Sequence, residues 1–176
     1  MSPFALIVIL GYSYTKRFTW ACHIFLGLAL SLAPVGGFLA VTGRIGWPIV
    51  IIAMGVLFWA AGFDVIYACQ DVDFDRHMNL RSIPVELGIS GALRVSSLFH
   101  LVSFSLFLTG GGLAHLSWPY FVGTLIVGLL MMWEHFIVGP DKMERLDTAF
   151  FTINSYVSIT LLASVIAAAA IHSYPN

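Results

Sequence analysis

Apolar residues fall in six runs along the 176-residue chain, and short polar stretches separate the runs. The runs cover roughly residues 3–14, 20–42, 47–69, 90–110, 116–137 and 148–171. Five reach or approach the roughly 20 residues that a helix needs to cross a hydrocarbon core, whereas the first, with about 12, does not. The pattern therefore predicts an all-α, polytopic transmembrane helix bundle of about six helices, forming a single membrane domain over residues 1–176.

Composition supports the membrane assignment and excludes other classes. Hydrophobic residues make up 59% of the chain and charged residues 10%, whereas soluble domains average about 25% charged residues. The formal net charge of −1 excludes a broadly basic nucleic-acid-binding protein. Cys22 and Cys69 both lie in apolar runs, so two packing residues are a simpler interpretation than a disulfide framework.

Basic residues are distributed unevenly between the two sides of the predicted bundle. Arg44 lies on one side, and the other seven lie in the connections after the first, third and fifth runs. These seven are Lys16, Arg17, Arg76, Arg81, Arg94, Lys142 and Arg145. The asymmetry predicts that the three connections face the cytoplasm. We expect a multi-pass protein of the bacterial inner membrane, surrounded by the lipid bilayer, with its polar chemistry on the cytoplasmic side.

Four aspartates cluster at the end of the third run. On a continuous helix Asp64, Asp71 and Asp75 share one face, and Asp71 and Asp75 lie one turn apart at the C-terminus, where they repel each other and the helix dipole. A divalent cation would compensate this pair, so the spacing predicts Mg²⁺ bound by Asp71 and Asp75 together with phosphate oxygens and water. The alternative is a solvated acidic loop. Asp64 lies about two turns deeper, where an ionisable group indicates either function or a tie to a neighbouring helix.

Basic side chains on the same predicted side complete a site for a polyanion. Lys16 and Arg17 follow the first run, and Arg76 and Arg81 follow the aspartates. A diphosphate bridged by Mg²⁺ takes Lys or Arg on its remaining oxygens, so the acids and bases together favour a diphosphate over a bare metal ion. As topology signals alone, Lys16 and Arg17 need no further role.

Other polar residues carry weaker signals. Glu134, His135 and Asn154 are typical of interfacial or interhelical hydrogen bonding. The charged loop 141–147 predicts a solvated surface. Histidines without metal-ligand spacing are His23, His100, His115 and His172.

Two motifs resemble those of the UbiA superfamily of intramembrane aromatic prenyltransferases. Residues 64–75, Asp-x-x-Tyr-Ala-x-x-Asp-x-Asp-x-Asp, with Ser-Ile-Pro at 82–84, are similar to its second Asp-rich motif. Residues 14–19, Tyr-Thr-Lys-Arg-Phe-Thr, are similar to the Tyr-x-Lys-Arg segment of quinone-pathway members. The 4-hydroxybenzoate polyprenyltransferases and their naphthoate-using relatives are the most similar members.

The resemblance implies Mg²⁺-dependent transfer of a polyprenyl group from polyprenyl diphosphate to an aromatic acid, 4-hydroxybenzoate or a related acceptor, in ubiquinone or menaquinone biosynthesis. It implies that Asp71 and Asp75 hold Mg²⁺, that Lys16 and Arg81 neutralise the diphosphate, and that Asp64 orients the acceptor. The implied catalytic residues are Asp64, Lys16 and Arg81. The implied substrate-binding residues are Lys16, Arg17, Tyr67, Arg76 and Arg81.

The chain departs from the family in one large respect. The family carries an earlier Asn-Asp-x-x-Asp-x-x-x-Asp motif and usually nine helices, and nothing in this sequence matches that motif. We therefore expect an N-terminally truncated domain that corresponds to the last six helices, with a missing N-terminal half as a partner. On this interpretation the 176-residue chain inserts in the membrane but is inactive alone.

Two other functions remain open. A membrane cation transporter or channel subunit would line its ion path with Asp64 and Asp71, but it predicts acids near the middle of several helices rather than at one helix end. A CDP-alcohol phosphotransferase also uses membrane aspartates. It would need a Gly-Ala-Arg type element among the acids, and this sequence has none.

Overall fold

The computed structural model describes residues 2–140 and 146–173, and the regular elements in this part of the chain are helical. The long helices are α1 (Ser2–Thr15), α2 (Cys22–Thr42), α3 (Trp47–Ala68), α5 (Ile83–Leu113), α6 (Trp118–Ile137) and α7 (Asn154–Ser173). A 3-10 turn (Cys69–Asp71) and the short helix α4 (Val72–His77) follow α3, and a π-helical turn (Thr148–Ile153) precedes α7. Each predicted run contains one long helix, which confirms the all-α prediction.

Five segments are long and apolar enough to cross a membrane. They are Cys22–Thr42, Trp47–His77, Ile83–Leu113, Trp118–Ile137 and Phe150–Ile171. Helix α1, with 14 residues, is too short to qualify, as the sequence predicted. Many large apolar side chains on the outer faces are exposed, which suits contact with lipid. The chain is therefore a multi-pass membrane protein.

Helix α3 lies at the centre of the bundle, packed between α2 and α5. Two α5 serines seven residues apart, Ser96 and Ser103, each donate a 2.7 Å hydrogen bond to a backbone carbonyl of α3. The accepting residues, Gly62 and Gly55, are also seven residues apart, so the two helices run antiparallel in matched register. Small residues and interhelical hydrogen bonds are what hold membrane helices together, because burial from lipid supplies little driving force.

The connection between the third and fourth apolar runs, residues 70–89, is largely helical. Helix α5 begins at Ile83 with Pro84 in its first turn and bends at Gly88. Gly88 has φ 69° and ψ 168°, a conformation that is essentially confined to glycine. The predicted start of the fourth run at residue 90 falls directly after this break. Gly88 therefore introduces a kink near the start of this spanning helix.

We expect Gly27→Ala to lower the free energy of unfolding by about 1–3 kcal/mol, the usual cost of overpacking. A Cβ at Gly27 would overlap the backbone carbonyl of Leu57, so α2 would have to move away from α3. Gly36→Ala is the matched control, since it lies in the same helix with no neighbouring atom within 4 Å of the new Cβ. Denaturant unfolding of both variants in detergent measures the difference. Equal stability of the two variants would contradict the close α2–α3 contact.

Candidate functional site

A buried ion pair joins the end of α1 to α4. Lys16 lies in the turn after α1, and its Nζ lies 3.2 Å from Asp75 Oδ2 and 3.5 Å from Oδ1. The Asp75 side chain is 2% exposed, whereas that of Lys16 is 31% exposed. The lysine therefore neutralises a carboxylate that is otherwise enclosed by protein.

The turn after α4 brings Arg81 to the same place. Asn79 adopts a left-handed conformation with φ 52°, and the Leu80 N–H donates to the Asp75 carbonyl at 2.8 Å. This is the pattern of a helix C-terminal cap, which reverses the chain direction. The Arg81 N–H then donates to the Lys16 carbonyl at 2.7 Å, while the Arg81 side chain stays exposed. Lys16, Asp75 and Arg81, which are far apart in sequence, thus meet at one end of the bundle.

Asp71 lies at the same end but differs from Asp75 in its surroundings. Its side chain is half-buried and forms no hydrogen bond or ion pair with the residues that the structure describes. The 3-10 turn that ends at Asp71 and helix α4 continue α3 as one helical segment, Trp47–His77, so both acids lie in its last two turns, as predicted. Lys16 compensates the charge of the Asp75 carboxylate. Metal binding is therefore not needed to explain Asp75.

Asp64 is paired with a residue that the spacing of histidines did not single out. His23 Nδ1 on α2 lies 2.6 Å from Asp64 Oδ2 on α3, and the Ile83 N–H donates to His23 Nε2 at 3.4 Å. His23 is fully buried. The sequence did carry one signal for His23: it is an ionisable residue inside an apolar run, and such residues indicate function by default in a membrane. The spacing of the histidines gave no such indication, because it does not match that of metal ligands.

Two further predicted residues, Arg17 and Arg76, have neighbours other than the Lys16–Asp75 pair. The Arg17 guanidinium lies over the Tyr14 ring, 5.7 Å from its centroid. Arg76 is exposed and lines a cavity of about 380 Å³ with Asp73. The predicted role of Arg17 and Arg76 in substrate binding therefore stays a prediction.

Tyr67 of α3 stacks on the π-helical turn that precedes α7. Its ring centroid is 4.2 Å from that of Phe150. Asn154 directly follows the π-helical turn, and its side chain accepts a 3.0 Å hydrogen bond from Trp59 Nε1. The predicted interhelical hydrogen bonding of Asn154 is thus confirmed. Lys142, Arg145 and the rest of 141–145 lie outside the described residues.

A second buried polar cluster lies between α5 and α6. His100 Nδ1 lies 3.0 Å from His135 Nε2 and 3.7 Å from Glu134 Oε2. The Glu134 carboxylate is buried between the His100 ring and the Asn154 side chain. His100 and His135 border an apolar groove of about 630 Å³ whose lining does not include Lys16 or Asp75. This cluster is therefore distinct from the Asp-rich site.

The chemistry of the Asp-rich end suits Mg²⁺ only in part. Among the described residues, no three His, Cys, Asp or Glu side chains gather as a metal site. Mg²⁺ usually takes one or two carboxylates and completes its shell with water and substrate phosphate oxygens. The unpaired carboxylate of Asp71 fits this role. The oxygens of Asp75 are engaged by Lys16 and would have to be shared.

Apolar spanning helices with acids and bases at one end define a polytopic membrane protein with a polar surface site. The family model described as the UbiA prenyltransferase family matches residues 1–156. The chain therefore belongs to the UbiA prenyltransferase family, and the resemblance of its motifs is confirmed.

Similar proteins include members from bacteria, a slime mould and an archaeon. A 4-hydroxybenzoate octaprenyltransferase from Hydrogenovibrio crunogenus is 26% identical over 172 residues, which cover 94% of this chain and 60% of that protein. The mitochondrial 4-hydroxybenzoate polyprenyltransferase of Dictyostelium discoideum is 28% identical over 131 residues, covering 74% of this chain and 28% of that protein. The apo structure of a UbiA homolog from Aeropyrum pernix K1 matches with a TM-score of 0.83 and 30% identity, covering 94% of this chain and 62% of that one. The chain thus spans less than two thirds of each of these proteins.

Proposed function

We propose that the complete product of this gene transfers a polyprenyl group from polyprenyl diphosphate to 4-hydroxybenzoate or a related aromatic acid, in the biosynthesis of ubiquinone or menaquinone. Family membership and the names of the similar proteins support the reaction class. The observation that carries the proposal is the contact of Lys16 with Asp75 and with the Arg81 backbone, at the end of the apolar bundle where Asp71 also lies. Such a bundle holds the prenyl tail, while its polar end holds the diphosphate.

The reaction assigns distinct tasks to these side chains. Lys16 and Arg81 donate hydrogen bonds to the diphosphate and stabilise the charge that it gains as it leaves. Asp71, with Asp75, would hold Mg²⁺, which would supply further neutralisation of the diphosphate charge. The allylic C–O bond breaks, with its electron pair leaving on the diphosphate, and a carbon of the electron-rich ring forms the new C–C bond. The proton on that carbon passes to the released diphosphate, and the apolar helices exclude water from the carbocation.

The same proposal places the polar end on the cytoplasmic side of a bacterial inner membrane. Six of the eight basic residues lie in the connections that share this end of the alternating topology, and Arg94 lies near the start of the fourth run. Basic residues in short loops favour the cytoplasmic side. A cation path is less well supported, because Asp64 is engaged by His23 and the other aspartates that the structure describes lie near one end of the bundle.

The proposed reaction is tested with the complete gene product in nanodiscs, supplied with polyprenyl diphosphate and 4-hydroxybenzoate. We expect a prenylated acid that forms with Mg²⁺ and is lost with EDTA. Cation flux into proteoliposomes of the same preparation tests the alternative, a cation transporter or channel. Cation flux without prenylated product from any aromatic acid tested would overturn the proposal.

A further inference from the structure

His23 ties three helices together at the level of Asp64. It lies on α2, its Nδ1 contacts the Asp64 carboxylate of α3 at 2.6 Å, and its Nε2 accepts from the Ile83 N–H at the start of α5. The imidazole is fully buried, whereas the Asp64 side chain keeps 24% of its surface exposed. One carboxylate oxygen is thus fixed by a buried partner, and the carboxyl group still reaches open space.

The two hydrogen bonds define the protonation of the ring. A nitrogen that accepts from a backbone N–H carries a lone pair and no hydrogen, so Nε2 is unprotonated. The ring hydrogen then lies on Nδ1, which donates it to Asp64 Oδ2. A histidine that donates to a carboxylate orients that carboxylate in the way that partners behind a ligand commonly do.

Asp64 lies deeper in the bundle than the aspartates of the polar end. It precedes Asp71 by seven residues, which is about 10 Å along a helix. With the diphosphate held at the polar end as proposed, the Asp64 carboxylate would lie further inside, toward the apolar interior that takes the prenyl chain.

We propose that His23 is a positioning residue, which holds Asp64 so that its other oxygen accepts a hydrogen bond from the phenolic hydroxyl of the acceptor. The proposal rests on the proposed prenyl transfer and adds a recognition element to it. An ionised Asp64 attracts the hydroxyl end of a hydroxybenzoate and repels its carboxylate, so it also fixes which way the acceptor enters. A tie between helices alone would affect folding without choosing between the two substrates.

The test compares His23→Leu with His23→Gln in the complete gene product. Leu removes both hydrogen bonds, whereas the Gln amide can donate to Asp64 and accept from the Ile83 N–H. We expect His23→Leu to raise the KM for 4-hydroxybenzoate about 10- to 100-fold, with an unchanged KM for polyprenyl diphosphate, and Gln to restore most of the loss. Ser31→Ala is the control, because Ser31 is a buried α2 residue whose hydroxyl donates only within its own helix.

The results separate this inference from the proposed function. If His23→Leu leaves the acceptor KM unchanged or shifts only the donor KM or the Mg²⁺ requirement, the positioning role is overturned while prenyl transfer stands. If the wild-type protein forms no product, the proposed function fails, and the acceptor role of Asp64 falls with it. The positioning of Asp64 is then tested by ¹⁵N NMR of labelled histidine side chains, which shows which ring nitrogen of His23 carries the hydrogen. The signal that is missing from the His23→Gln spectrum is assigned to His23. A hydrogen on Nδ1 supports it, and a hydrogen on Nε2 overturns it.

Discussion

Asp71→Asn is expected to lower the rate of prenyl transfer at least about 100-fold while leaving the folded protein intact. A metal ion contributes several kcal/mol of charge stabilisation in such reactions, and each 1.36 kcal/mol corresponds to a factor of ten in rate. The Asp71 carboxylate has no partner among the described residues, so the amide breaks no existing bond. The measurement is the initial rate across a range of Mg²⁺ concentrations, with the unfolding curve of the same sample recorded beside it.

Asp73→Asn is the matched control for this prediction. Asp73 belongs to the same motif two residues further along, is exposed, and uses only its backbone carbonyl to accept a hydrogen bond from His77. We expect it to keep most of the activity. Equal losses in the two variants would show that the net charge of this surface matters and not a ligand at Asp71. A fully active Asp71→Asn protein would remove Asp71 from the metal site.

The spanning helices could be predicted from the apolar runs because burial in lipid is encoded locally. The predicted run 20–42 becomes Cys22–Thr42, and 116–137 becomes Trp118–Ile137. The pattern did not predict that the polar residues after α3 continue in helical turns. The helical turns around Asp75 and Ile83 carry too few apolar residues to be recognised from hydropathy. The break at Gly88 depends on one conformation, which the residue type permits but does not require.

The sequence predicted which residues belong to the candidate site, but only part of how these residues contact one another. Motif spacing identified Asp64, Asp75 and Lys16, and the structure brings Lys16 and Asp75 into contact. Their pairing depends on how α1 docks against a turn 59 residues later in the chain, and no local pattern reports such a contact. His23 was missed for the same reason. Its partner is 41 residues away on another helix, and the α2–α3 approach at Gly27 brings the two together.

Lys16→Met is expected to lower the free energy of unfolding by about 3 kcal/mol, because it leaves the buried Asp75 carboxylate without its partner. This is the low end of the usual cost of breaking a buried pair, since the lysine is itself 31% exposed. Methionine keeps most of the apolar stem, so the change reports on charge. The same variant should use polyprenyl diphosphate less well, with a KM raised about 10-fold or more by the loss of one charge-assisted hydrogen bond.

Three further variants separate the ion pair from other effects of Lys16→Met. Arg17→Met removes the neighbouring charge from an exposed side chain, whose recorded contact is with the Tyr14 ring, and should change stability by less than about 0.5 kcal/mol. Asp75→Asn removes the buried charge, so adding it to Lys16→Met should cost less than the sum of the two single changes. Unfolding by SDS, followed by circular dichroism, measures all four proteins. Additive losses would mean that the 3.2 Å contact stabilises nothing, and Lys16 would then be free to serve the diphosphate alone.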